Sequence, residues 1–272
     1  MTDRYAVIGN PIGHSLSPRI HAAFAAQTGE DISYTRLLGD IDHVEHDFQQ
    51  FFASGGRGLN VTVPFKEAAC RFADRLSERA GEAGAVNTLI AEATGIHGDN
   101  TDGAGLVNDL AGNNGFALAD KRILLLGAGG AARGVLRPLL DEAPARLVIA
   151  NRTAQKAIDL AARATGLADV TGCGLDALQG QQFDLIINAT AAGLDAQVPP
   201  IPDDCLADGA WTYDMMYGAQ PTAFVQWGRG HGAALALDGL GMLVEQAAES
   251  FRLWRGVRPD TAGVISALRH EF

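Results

Sequence analysis

The run Ile123-Leu-Leu-Leu126 breaks directly into Gly127-Ala-Gly-Gly-Ala-Ala132, and that junction restricts the possible folds more than any other feature. A short apolar run of this kind suits a buried parallel strand. The turn after it fits G-x-G-x-x-A. Its first glycine permits the tight turn, its second lets the backbone approach a pyrophosphate, and small Ala132 lets a helix pack close to the sheet. The helix N-terminus adds free N–H groups and a positive dipole. Further strands are expected at Leu147–Ala150, Asp184–Ile187 and Ala210–Asp214, with helices through Leu140 and over Ala154–Thr165. Strand, helix, strand at this spacing means a parallel sheet covered by helices on both faces.

The end of the second of these strands bears on the ligand. Dinucleotide folds that take NAD commonly place Asp or Glu about 20 residues beyond the glycine turn, on the ribose 2′-hydroxyl. This chain has Asn151-Arg-Thr-Ala-Gln-Lys156 there. A carboxylate would repel a 2′-phosphate, whereas Arg152 and Lys156 attract it and Thr153 can donate a hydroxyl. The planar fork of Arg152 suits a phosphate and can stack on adenine. A merely solvated basic helix start is the plainer alternative, but the helix dipole disfavours cations at that end. The residues read as an NADP site.

At 272 residues the chain has room for a second domain, and the first hundred residues supply one. Tyr5–Ile8 reads as a strand entering the loop Gly9-Asn-Pro-Ile-Gly13, Ser17-Pro18 as a helix start, Tyr34–Leu38 as a strand and Val44–Ala53 as a helix. Ser15 and Ser17 offer two hydroxyls for a carboxylate, although Ser17 alone serves equally as a helix cap. Gly58–Lys66 is expected to be a strand with Asn60 and Thr62 on one face, lining a cleft, and Lys66 directed to the same side. Asn87-Thr88 and Asp99-Asn-Thr-Asp-Gly103 are polar loops at the ends of apolar segments, and from spacing alone the second reads first as a plain turn. From Gly239 onward Leu240, Leu243, Val244, Ala247, Phe251 and Trp254 recur at helical spacing, with Pro259 marking the stop. That segment is expected to return to the first domain.

Several classes are disfavoured. Lys and Arg number 21 against 32 Asp and Glu, a net charge of −11 that opposes phosphate-backbone binding, so no nucleic-acid partner is expected. The three cysteines, Cys70, Cys173 and Cys205, show neither zinc spacing nor a disulfide framework and suit a reducing compartment. No signal peptide or membrane span is read, and a cytoplasmic protein is expected. Asp42-His-Val-Glu-His-Asp47 carries metal-ligand residue types, but nothing recruits it to a site. It reads as an exposed helix face, and no metal is expected.

Taken together, Gly13-His-Ser-Leu-Ser-Pro18, Asn60-Val-Thr-Val-Pro-Phe-Lys66, Gly84-Ala-Val-Asn-Thr88, Gly98-Asp-Asn-Thr-Asp-Gly103, the Gly127 turn, Asn151-Arg-Thr153 and Tyr213-Asp-Met215 resemble the shikimate dehydrogenase family over nearly the whole chain. The resemblance implies a two-domain α/β enzyme that reduces 3-dehydroshikimate to shikimate with NADPH, acting on a small molecule and forming a homodimer. The expected division is a substrate domain over residues 1–101, a Rossmann-type NADP domain over 102–238, and C-terminal helices over 239–272. By resemblance Lys66 and Asp102 are the catalytic pair, and Ser15 and Ser17 hold the substrate carboxylate with Tyr217 nearby. Thr62, Asn87 and Gln246 surround the ring hydroxyls, and Asn60 completes the substrate set. On the cofactor side stand Gly127, Ala128, Gly129, Gly130, Ala131, Asn151, Arg152, Thr153, Lys156, Met215, Gly239 and Glu78.

These residue types suit carbonyl reduction, which needs a hydride and a proton for the developing alkoxide. Lys66 offers a donor and a positive charge, and Asp102 would orient it. Whether Lys66 gives the proton or only stabilises charge while water gives it stays open. Two departures from the family pattern stand out: Lys156 where many NADP-using members have Arg, and Ala191 where Ser is frequent. The nearest rival is a quinate/shikimate dehydrogenase, which accepts quinate and often NAD; the more distant one is a non-catalytic dinucleotide-binding sensor or regulatory subunit.

Overall fold

The computed structural model describes residues 2–164, 166, 169–190 and 197–271. The chain divides into two compact units, one of Met1–Gly105 with Leu243–His270, the other of Leu106–Met242 with Glu271–Phe272.

The first unit runs β1 (Asp3–Gly9), α1 (Ser17–Thr28), β2 (Ile32–Leu38), α2 (Val44–Ala53), β3 (Gly56–Val61), α3 (Lys66–Phe72), β4 (Arg75–Leu76), α4 (Glu78–Ala83), β5 (Thr88–Glu92) and β6 (Gly95–Asp99). Its sheet has the order β2-β1-β3-β5-β6-β4. β1 lies parallel to β2 and β3, while β5 is antiparallel to both β3 and β6. Alternation along β1 sends Ala6 and Ile8 to one face, where they meet Phe48 and Phe51 of α2 and Phe65 at the start of α3. Tyr5 leaves the other face and contacts Trp254, with ring centroids 4.7 Å apart. Phe24 and Phe251 pack edge-on in the same aromatic cluster and are fully buried, each burial contributing on the order of 2 kcal/mol.

The second unit continues through α5 (Asp102–Val107), in which the chain passes between units, and a π-helical stretch at Asn108–Asn113. Then follow β7 (Arg122–Leu126), α6 (Gly130–Asp141), β8 (Arg146–Asn151), α7 (Ala154–Ala162), β9 (Val170–Gly174), β10 (Phe183–Asn188), β11 (Leu206–Asp214), α8 (Ala223–Gly230) and β12 (Leu235–Leu237). All pairings in the sheet β12-β11-β10-β7-β8-β9 are parallel. The order reverses between β7 and β10, and in such open sheets ligands settle beyond the carboxyl ends of the strands at that point. The near-continuous apolar character of β7, β8 and β10 follows from burial on both faces: Ile123 and Leu125 join one core, Leu124 and Leu126 the other. The chain returns to the first unit through α9 (Leu240–Arg255) and ends with α10 (Ala262–Glu271).

Two sequence expectations are corrected. The strand expected through Lys66 stops at Val61: the Thr62 carbonyl accepts from the Phe65 N–H at 3.0 Å, a turn closes, and Lys66 opens α3 instead. The helix expected over Ala154–Thr165 ends at Ala162; Thr165 itself lies outside the described residues. The C-terminal segment holds two helices, separated after Arg255 by Gly256 at φ +75°, which seats a left-handed turn. Among the described residues no helix is long and apolar enough to cross a membrane.

Candidate active site

In the first unit the polar residues gather where the loops after β1, β3 and β6 end. α1 starts at Ser17 with Leu16 in the cap position and no side-chain cap, so Ser17 is not the cap its sequence suggests. Its hydroxyl instead accepts from the Ser15 hydroxyl at 3.2 Å, and its N–H donates back to Ser15 Oγ at 3.3 Å. The two hydroxyls therefore sit side by side in one tight turn, a donor pair of the spacing a carboxylate takes.

Lys66 and Asp102 meet although they are far apart in sequence. Lys66 Nζ donates to Asp102 Oδ2 at 2.5 Å, with the lysine side chain 21% exposed and the aspartate 8%. Asn87 Nδ2 donates to the other carboxylate oxygen at 2.8 Å, and Asn100 Oδ1 accepts the Asp102 N–H at 3.1 Å. Both carboxylate oxygens are thus engaged, and the backbone of Asp102 is held as well. Asn87 is itself held, because its Oδ1 accepts from the Thr101 N–H at 2.9 Å. Gln246 joins this group, its Oε1 accepting from Asn87 at 3.3 Å and its Nε2 donating to the Leu243 carbonyl at 2.8 Å.

Thr62 lies just beyond β3, half-buried, with its N–H donating to the Ile8 carbonyl at 2.9 Å. Asn60 is turned inward. Its amide donates to the Asn87 carbonyl, Thr88 Oγ1 and Ser250 Oγ at 3.1–3.2 Å, and its oxygen accepts from the Tyr34 hydroxyl at 2.7 Å. The expectation that Asn60 and Thr62 line one open strand face is therefore corrected: a buried polar network engages Asn60, and Thr62 sits on the turn that ends the strand. Asp99 was legible only as part of a polar loop, yet it anchors that loop. Arg79 forks onto it at 2.6 and 3.0 Å, Ser77 Oγ donates at 2.7 Å and the Asn100 N–H at 2.6 Å. Burial pushes the Asp99 carboxyl up, but the Arg79 fork outweighs it and keeps the group below the usual carboxylate range.

In the second unit the glycine turn leads from β7 into α6. Gly127 has φ +106°, and a Cβ there would come within 3.1 Å of the Ala189 carbonyl oxygen, so both conformation and space call for glycine. Gly129 caps α6, and a Cβ on it would project into open space beside the first helical N–H groups. A side chain would fill the cradle that a pyrophosphate needs. At the end of β8, Asn151 Nδ2 donates to the Thr153 carbonyl at 3.0 Å, which shapes the turn into α7. Arg152 on that turn and Lys156 in the first turn of α7 are exposed and make no ion pair among the described residues. Two uncompensated cations beside a glycine cradle fit a dinucleotide carrying an extra phosphate. β11 ends near the same edge of the sheet. Asp214 accepts from Asn188 Nδ2 at 3.1 Å and from the Met216 N–H at 3.1 Å, bracing the loop that carries Met215 and Tyr217. Gly239 passes so close that a Cβ would meet the Met215 carbonyl oxygen at 2.4 Å.

Glu78 stands apart from the other cofactor candidates: it is exposed in the first turn of α4, in the first unit. Ala191 lies outside the described residues. His43 and His46 are engaged locally, by Asp40 at 3.5 Å and Gln50 at 2.8 Å. No group of three or more His, Cys, Asp or Glu is arranged to hold a metal among the described residues. Sequence reasoning missed Asn100, Arg79, Asn188 and Asp214, all of which act through neighbours. The sole signal for Asn100 was its place inside Asp99–Gly103.

Comparison with known proteins joins these residues to one family. Residues 7–89 match the shikimate dehydrogenase substrate binding domain, residues 109–195 the shikimate/quinate 5-dehydrogenase model and residues 239–269 the shikimate 5′-dehydrogenase C-terminal domain. A shikimate dehydrogenase (NADP(+)) from Alkalilimnicola ehrlichii is 59% identical over 271 residues, covering 100% of each chain. The crystal structure of an Ael1 enzyme from Pseudomonas putida superposes with a TM-score of 0.93 at 47% identity, covering 98% of both chains. A shikimate 5-dehydrogenase from Thermus thermophilus, solved in complex with NADP(H) and shikimate, gives 0.88 at 32% identity, covering 99% of this chain and 100% of that one.

Proposed function

The chain belongs to the shikimate dehydrogenase family, and on that premise we propose how its residues divide the reaction. It is an NADP-dependent oxidoreductase that reduces 3-dehydroshikimate reversibly to shikimate, in aromatic amino-acid biosynthesis. The residues 106–242 unit takes NADP, with the turn Gly127 to Ala131 on the pyrophosphate and Asn151, Arg152, Thr153 and Lys156 on the 2′-phosphate. Met215 and Gly239 border the same site. When bound, NADPH supplies the hydride.

The chain's own residues supply the rest. Lys66 donates a hydrogen bond and concentrates positive charge where the substrate carbonyl oxygen becomes an alkoxide, the point at which a fixed donor lowers the barrier most. Asp102 keeps the ammonium aimed at that oxygen. Asn87 and Asn100 keep Asp102 in place, so the pair needs no rearrangement when charge develops. Ser15 and Ser17 receive the carboxylate; Thr62, Asn87 and Gln246 surround the ring hydroxyls, and Asn60 stiffens them from behind. The observation that supports this reading most is the 2.5 Å contact of Lys66 Nζ with a carboxylate whose other oxygen is already held by Asn87. We assign the enzyme to the cytoplasm, as a homodimer whose mass sedimentation would read.

Absorbance at 340 nm tests the assignment, with shikimate or quinate and NADP⁺ or NAD⁺, on the wild type and on Arg152→Ala. Fast turnover is expected with shikimate and NADP⁺. Arg152→Ala is expected to raise the KM for NADP⁺ about tenfold or more and to leave that for NAD⁺ nearly unchanged. A preference for quinate or NAD⁺ in the wild type would contradict the assignment.

A further inference from the structure

Tyr34 and Arg36 stand two residues apart on β2, so their side chains leave the same face of the strand. That face lies against the start of α1: the Tyr34 ring stacks on His21, one helical turn after Ser17, with centroids 4.2 Å apart. Arg36 reaches the serine turn itself. Its Nε and Nη2 both donate to the Ser15 carbonyl oxygen, at 3.0 and 2.6 Å. This is the carbonyl of the residue whose hydroxyl bonds to Ser17.

The charge of Arg36 is left over. Its fork is engaged by a neutral carbonyl, the side chain is exposed, and it makes no ion pair among the described residues. In a chain with 32 acidic residues and a net charge of −11, an arginine held away from carboxylates beside two hydroxyls is a feature to account for. Two hydroxyls recognise a carboxyl group by hydrogen bonds alone and take a neutral ester nearly as well as an anion. A fixed cation behind them separates the two, and it offsets the long-range repulsion an anionic substrate meets from the rest of the molecule.

We propose that Arg36 is a specificity-determining residue: through the Ser15 carbonyl it fixes the Ser15–Ser17 turn, and its charge selects a substrate bearing a free carboxylate. The proposal rests on the reading of Ser15 and Ser17 as the carboxylate site. It is tested by measuring kcat and KM for shikimate and for shikimate methyl ester, at saturating NADP⁺, in the wild type, Arg36→Gln, Arg36→Lys and Ser15→Ala. Arg36→Gln is expected to raise the KM for shikimate about tenfold while the KM values for the ester and for NADP⁺ stay within about twofold. The preference for acid over ester then shrinks about tenfold, and Arg36→Lys keeps most of it because it keeps the charge. Equal losses on acid and ester in Arg36→Gln would reduce Arg36 to a scaffold residue and overturn the proposal. So would an unchanged shikimate KM in Arg36→Gln beside a raised one in Ser15→Ala. An unchanged shikimate KM in Ser15→Ala would instead overturn the carboxylate reading on which the proposal rests.

Discussion

His21 shows how a single side chain can tie this fold to pH. It is fully buried, stacked on Tyr34, and neither ring nitrogen has a hydrogen-bond partner among the described residues. Burial pushes its pKa down to about 3 from an ordinary 6.5, so the ring is neutral in the fold. The unfolded chain binds a proton there below about pH 6.5 and the folded one does not. The stability His21 contributes is therefore complete above about pH 6.5, and it is lost as pH falls, by about 1.4 kcal/mol per unit, until the folded ring titrates. Denaturant unfolding at pH 7 and pH 4.5 should show the wild type losing roughly 2–3 kcal/mol more than His21→Phe over that interval. Identical losses would mean that His21 is charged or solvated in the fold. At this scale the sequence was most informative about the residues assigned to the substrate and least about those that hold them in place. Ser15 and Lys66 stand in blocks whose residue types suggest chemistry, whereas Asp102 was assigned only through the family resemblance. Asn100 and Asp214 carry side chains equally common in plain turns, and their partners come from distant parts of the chain.

Elements were legible where burial imposes a pattern. β7, β8 and β10 are apolar on both faces and read directly, whereas β9, Val-Thr-Gly-Cys-Gly at the sheet edge, offers no alternation and was missed. β3 was overextended because Val61-Thr-Val63 continues the strand composition while the backbone already turns at Thr62. The hairpin of β5 and β6 escaped notice because Thr94-Gly95 is a weak turn signal and both strands are only five residues long. The passage from β12 into α9 is constrained by close approach: Gly239 lies against the Met215 carbonyl, and its N–H donates to the Met216 carbonyl at 2.9 Å. An added methyl group forces one of the two segments to shift. Gly239→Ala is expected to destabilise the protein by about 1–3 kcal/mol and to raise the KM for NADP⁺ more than that for shikimate. Denaturant midpoints and the two KM values check this, and a variant with unchanged stability would show that the contact is not as tight as described.

For the whole molecule, the division of the chain follows from what each sheet must bury. The all-parallel sheet of the second unit is complete within residues 106–242, with helices on both faces. The mixed sheet of the first unit is finished only by residues 243–270, which bring Phe251 and Trp254 to Phe24 and Tyr5. Arg255 reinforces that return by bonding Asp3 at 2.5 Å and Glu30. The same return delivers Gln246 to Asn87, so the helix that closes the core also supplies part of the site. The amphipathic stripe from Leu240 to Trp254 was legible as a helix; where it docks depends on long-range packing that no local pattern encodes.

The proposed chemistry turns on the Lys66–Asp102 pair, and the measurement that addresses it most directly is the steady-state kinetics of Lys66→Ala with shikimate and NADP⁺. The geometry predicts a fall in kcat of about two orders of magnitude or more, with KM for shikimate changed by less than about tenfold and KM for NADP⁺ unchanged, because the ammonium acts chiefly on the charge that develops during the reaction. A variant that keeps a normal kcat would remove Lys66 from the chemistry and leave the pair a structural ion pair.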